Sequence, residues 1–162
     1  MAGKRFWIAD TGPYSALPTK RVQTAAAATI IEKGMLIKFT SNGSPYGTPL
    51  VTEDFTIGTD TAIYGLAAMD STHTATVDGT IMVLPPATGI VFGCKAKSAA
   101  AFNTEAEINA LRNALVAFDL TSSVYTVETG SAGATNGLKI VGGDASTSTV
   151  FFVVRSGATI FA

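Results

Sequence analysis

Apolar and β-branched residues come in short runs along this chain, and the runs are broken by Gly, Pro, Asn, Asp and Ser. That punctuation predicts strands joined by tight turns. Gly34 precedes Met35-Leu36-Ile37-Lys38-Phe39, which reads as a strand. Ser41-Asn42-Gly43-Ser44 then reads as a turn, since Asn-Gly tolerates positive φ. Leu50-Val51, Ala62 to Ala68 and Ile90 to Ala96 are further strand candidates, with Gly65 marking a bulge in the second. Thr74 to Val77 and Thr80 to Leu84 flank Asp78-Gly79, a strong hairpin signal, and Pro85-Pro86 ends the second run. Ser123 to Glu128 alternates at period two, 129–137 reads as a flexible loop, and Leu138 to Val141 is a strand broken by Gly142-Gly143-Asp144. Thr149 to Val154 and Ala158 to Phe161 read as a closing hairpin around Arg155-Ser156-Gly157.

Two segments read differently. Ala25 to Ala28 favours helix, but Val22, Thr24, Thr29, Ile30 and Ile31 bracket it with strand formers, so 22–31 is expected to be extended. Thr104-Glu105-Ala106-Glu107 is a capping-box pattern, and Ile108, Leu111, Leu115 and Phe118 follow at helical spacing. A helix over about 105–118 is predicted, packed on a sheet. The expected fold is therefore mainly β: a compact β-barrel or β-sandwich-like body of short antiparallel strands with one α-helix. Residues 1–21, with Gly12-Pro13 and Pro18 and no steady period, are expected to form an extended N-terminal arm. The β-rich body then covers 22–162, with 22–98 a first β subdomain and 99–162 a second β unit carrying the helix as a finer division.

Composition sharpens this picture. The chain of 162 residues is 47% hydrophobic and only 14% charged, where about 25% charged is usual. Its 25 Ala, 23 Thr and 16 Gly leave weakly polar surfaces, the kind that association covers. The charge is split. Lys4, Arg5, Lys20, Arg21, Lys33 and Lys38 against Asp10 and Glu32 make 1–38 basic by four, and the remainder is acidic by five. A net charge of −1 argues against coating nucleic acid. No apolar run approaches the roughly 20 residues of a membrane helix, and Asp10 interrupts the only candidate signal-peptide core.

Candidate chemistry is sparse. The single Cys94 lies in an apolar run and should be buried and inert, because Lys95 points to the opposite face of the strand. The single His73 sits in Asp70-Ser71-Thr72-His73-Thr74 and reads as a solvent-exposed loop residue, since triad members converge from separate segments. Glu53, Asp54 and Asp60 around Gly58 lack calcium-loop spacing, and Glu105 and Glu107 are explained by capping. No catalytic residue, cofactor or metal is expected. The strongest partner-contact candidates are Lys4, Arg5, Phe6, Trp7 and Tyr14, because aromatic residues anchor interfaces and nearby cations orient docking.

The order Glu32-Lys33-Gly34-Met35-Leu36-Ile37, Ile63-Tyr64-Gly65-Leu66-Ala67-Ala68, Val77-Asp78-Gly79-Thr80-Ile81-Met82-Val83 resembles the capsid decoration (cement) proteins of tailed bacteriophages. Phe118-Asp119-Leu120, Asn136 to Ile140 and Phe152-Val153-Val154-Arg155 resemble the C-terminal β unit of such proteins more loosely. The resemblance implies a structural virion protein on the capsid exterior, synthesised in the host cytoplasm. It implies a homotrimer or a dimer that bridges major capsid protein subunits, without catalysis, nucleic acid or membrane as partner. The alternative is a β-rich binding module, tail-associated or cellular, recognising carbohydrate or another protein.

Overall fold

The computed structural model describes residues 6–12, 15–40, 46–49, 61–85, 89–121, 124–130, 133 and 137–155. Two antiparallel sheets carry the chain. The first contains β2 (Lys20–Thr24), β3 (Leu36–Thr40), β4 (Thr48–Pro49), β5 (Thr61–Ala67) and β6 (Gly79–Leu84), in the order β2-β6-β5-β3-β4. The second contains β1 (Trp7–Asp10), β7 (Val91–Lys95), β8 (Leu115–Thr121), β9 (Val124–Glu128), β10 (Leu138–Asp144) and β11 (Thr149–Val154), in the order β1-β7-β11-β10-β8-β9. One α-helix, α1 (Glu105–Leu111), lies between β7 and β8. The mainly β, sandwich-like body expected from the sequence is what forms.

Both sheets curl until their ends touch without closing. In the first, Tyr46 bridges Gln23 in parallel and the Gly47 amide donates to the Gln23 carbonyl at 2.8 Å. In the second, Ala96 bridges Val127 in parallel and the Lys97 amide donates to the Val127 carbonyl at 2.8 Å. Alternation puts one side chain in two inside each curl. Val22, Ile37, Ala67, Ile81 and Val83 fill the first, with Ile31. Phe92, Cys94, Val116, Phe118, Tyr125, Val127, Leu138, Ile140, Val150 and Phe152 fill the second. Leu36, Leu66 and Leu84 belong to that second cluster although their strands lie in the first sheet, so the two sheets share apolar packing. The pairing passes from one sheet to the other between β6 and β7, and β1 crosses to the later strands, so the sheets do not divide at residue 98.

Several expectations need correction. The helix ends at Leu111, and Leu115–Thr121 is strand. Leu115 and Phe118 extend the helical stripe in the sequence, but Arg112 leaves helical geometry (ψ 129°) and Asn113 takes φ 71°. The Asn113 amide then donates to Ile140, which feeds the chain into the sheet. Val116 and Phe118 face the core at period two, while Leu115 is only half-buried. The capping box itself forms: the Thr104 hydroxyl accepts from the Glu107 amide, and Glu107 accepts from the Thr104 amide at 3.0 Å.

Asp78-Gly79 does not turn a hairpin. Residues 74–77 form a bend closed by the Thr74 amide donating to Val77, and β6 pairs with β2 and β5. Gly142 and Gly143 continue β10, with a register shift after Ile140 absorbing the irregularity. Gly65 does sit at a bulge: the β3 register steps from Gly65 to Ile63, and a Cβ on Gly65 would meet the Leu84 carbonyl. Lys20–Thr24 is strand, as the extended reading of 22–31 requires in part. The Ser41–Ser44 turn, Leu50-Val51, the acidic residues around Gly58, the last strand of the proposed closing hairpin and most of the 129–137 loop lie outside the described residues.

Candidate functional site

The expected arm is not an arm where it is described. Phe6 is 2% exposed, and its ring centroid lies 4.9 Å from Tyr125, 5.4 Å from Phe152 and 6.2 Å from Phe118. Its amide donates to the Gly34 carbonyl at 3.2 Å. Phe6 is thus a core residue. The reason is apolar burial: the second curl has an aromatic vacancy that a flanking Phe fills at less cost than solvent exposure. Trp7 begins β1, pairs with Gly93, and lays its indole over that glycine, where a side chain would clash. It remains half-buried. Lys4, Arg5 and Tyr14 lie outside the described residues.

Docking β1 against β7 leaves an apolar groove of about 420 Å³ between the two sheets. Phe6, Ile8, Leu17, Leu66 and Leu84 line it, with the small Ala67 and Ala68 on its wall. Lys33 also borders it, is exposed, and makes no ion pair among the described residues. Its backbone amide donates to the Asp70 carboxylate at 2.7 Å, which fixes the 33–34 turn beside 68–70. Sequence reading missed this groove because its walls come from five separated segments. The available signals were Leu17 in an otherwise polar stretch and the paired small residues Ala67-Ala68.

Several titratable groups are tied into the fold. Cys94 is buried, its thiol donates to the Tyr125 carbonyl at 3.2 Å, and desolvation pushes its pKa up to about 12. His73 is 4% exposed, not the open loop residue expected. Segment 27–33 runs alongside 70–74 and covers it, with Nε2 3.1 Å from the Thr29 carbonyl. Asp78 is a latch: its carboxylate accepts from the Ala26 amide at 2.8 Å and the Tyr46 hydroxyl at 2.8 Å. The Ala26 bond, then the Tyr46 bond, hold it below its ordinary range, and the same contact raises Tyr46. A second latch ties the curl of the second sheet. Lys97 Nζ lies 3.0 Å from the buried Asp119 carboxylate and 3.3 Å from Glu128, and Thr121 donates to Asp119 at 2.9 Å. Hydrogen bonds to Asp119 and then Glu128 raise the Lys97 pKa, so the amine stays charged and is an ion-pair member, not a nucleophile.

Among the described residues no group of three or more His, Cys, Asp or Glu side chains is placed to hold a metal, and no helix is long and apolar enough to cross a membrane. No known protein family, curated protein or solved structure matches the chain.

Proposed function

We propose that this chain is a capsid decoration protein, which binds the outer surface of a tailed-phage head and stabilises it by bridging major capsid protein subunits. One observation supports the reading most. The three sequence segments that carry the resemblance are separate in the chain, and they supply β3, β5 and β6, three neighbouring strands of one sheet. Their order therefore reflects one structural unit, not scattered strand signals. The low charge content and the half-buried Trp7 suit an interface that excludes water over a broad area. Lys4, Arg5, Trp7 and Tyr14 remain the proposed shell contacts, and Phe6 is withdrawn from that set.

The test is co-sedimentation of the purified chain with empty expanded heads, beside a glycan array probed with the same protein. Saturable binding to heads at a fixed ratio to the major capsid protein, with higher head melting, is the expected result. Glycan binding without head binding would replace this reading by that of a carbohydrate-recognising module.

A further inference from the structure

The groove between the sheets has a plug beside it. Met69 follows Ala68 of the groove wall and is 46% exposed, one of three large apolar side chains, with Ile30 and Val77, that are exposed among the described residues and the one next to the groove in sequence. Asp70 comes next, exposed; its carboxylate accepts the Lys33 backbone amide, and the Lys33 ammonium makes no ion pair among the described residues. An apolar side chain with an adjacent carboxylate thus adjoins an apolar cavity with an adjacent ammonium. Within one chain Met69 lies outside the groove that it matches.

We propose that two copies of this chain associate through this patch about a two-fold axis. Met69 of each copy enters the groove of the other, and Asp70 of each pairs with Lys33 of the other. An isologous contact needs one patch that is its own complement, and this patch holds both halves of each pairing. The groove is within the size range of small-molecule pockets, ample for one methionine side chain, whose flexible thioether adapts to irregular apolar walls. The two ion pairs at the rim set orientation, while the methionines and the groove walls supply affinity. The inference deepens the oligomeric part of the decoration reading and selects the dimer over the trimer. It is tested without any particle, so its failure leaves shell binding to be judged on its own.

Charge reversal gives the test. In Lys33→Glu, both rim pairs of a homodimer become Glu against Asp; in Asp70→Lys, both become Lys against Lys and the Lys33 amide also loses its acceptor, so far-UV dichroism first establishes that this variant is folded. Mixing the two variants restores an opposite-charge pair at both positions. Sedimentation should show wild-type dimer at about 100 µM. Each variant alone should dissociate roughly tenfold or more readily, and an equimolar mixture should return to within about threefold of wild type. Met69→Ser, which removes no hydrogen bond of the described fold, should weaken the dimer as well. Dimer formation should also shift the emission of Trp7, the one tryptophan, which borders the groove. A monomeric or trimeric wild type overturns the proposal. So do single variants that associate like wild type, a mixture no tighter than its components, or a Met69→Ser chain with unchanged affinity.

Discussion

Phe6→Ala is the sharpest test of how the N-terminal strand is held. The ring is 2% exposed and has three aromatic neighbours within 6.2 Å, two of them edge-on. Truncating a buried Phe to Ala costs roughly 3–5 kcal/mol. Each aromatic contact adds about 0.5–1.5 kcal/mol beyond area, so the upper part of the range is expected. For a chain of 162 residues, each kcal/mol lowers Tm by about 2–4 °C, so a fall of roughly 8–20 °C should follow. Phe6→Leu keeps an apolar side chain and should cost under about 1.5 kcal/mol. The assay is urea unfolding followed by Trp7 emission and far-UV circular dichroism together, since coincident curves license a two-state free energy. Trp7 reports on β1 locally, and dichroism reports on both sheets. A loss below about 1 kcal/mol for Phe6→Ala would falsify the placement of Phe6 in the core and return it to the surface.

Two further outcomes concern titratable groups. Cys94, buried and raised to about 12, should resist a thiol reagent at neutral pH until the chain unfolds, with labelling tracking the unfolding curve; fast labelling of native protein contradicts its burial. Asp78 has its pKa lowered on folding, so its latch contributes stability above its unfolded pKa of about 3.9 and loses it as pH falls through the lower folded value. Asp78→Asn should therefore flatten the acid limb of the stability-against-pH curve relative to wild type; parallel acid limbs would mean the latch does not form.

The strands were legible in the sequence wherever burial is one-sided and local. Leu36–Thr40, Val91–Lys95, Val124–Glu128 and Thr149–Val154 all fall within or near their expected bounds, because alternation and flanking turn residues state the same thing. The helix C-terminus was not legible. Ile108, Leu111, Leu115 and Phe118 fit a helical stripe, and only Val116 and Asn113 hinted that the period changes. Asp78-Gly79 misled for another reason: its carboxylate is drawn off by Ala26 and Tyr46, contacts 52 and 32 residues away. His73 likewise owes its burial to a distant segment, 27–33, packing over it. The groove lay beyond any local pattern, since β1 reaches it by pairing with β7 across most of the first sheet's sequence.

The position of Phe6 also decides how shell binding can be tested. If residues 1–21 were a free arm, deleting them would leave a folded body, and lost binding would report on the arm alone. The described part of that segment instead contributes Phe6 to the core, β1 to a sheet, Leu17 to the groove, and Lys20 and Arg21 to β2. Deletion therefore removes an edge strand and an aromatic plug together, and weak binding afterwards would be uninterpretable. Point changes separate the two effects. Trp7 is half-buried on Gly93, so its loss mixes fold and contact; Lys4 and Arg5 are charged side chains next to it in the sequence. Rim charges act mainly on association rate and salt dependence. Hence a Lys4→Ala, Arg5→Ala chain that melts like wild type but binds heads more slowly, most clearly at low salt, locates a shell contact before Phe6. Equal binding rates at low salt remove the basic pair from the interface.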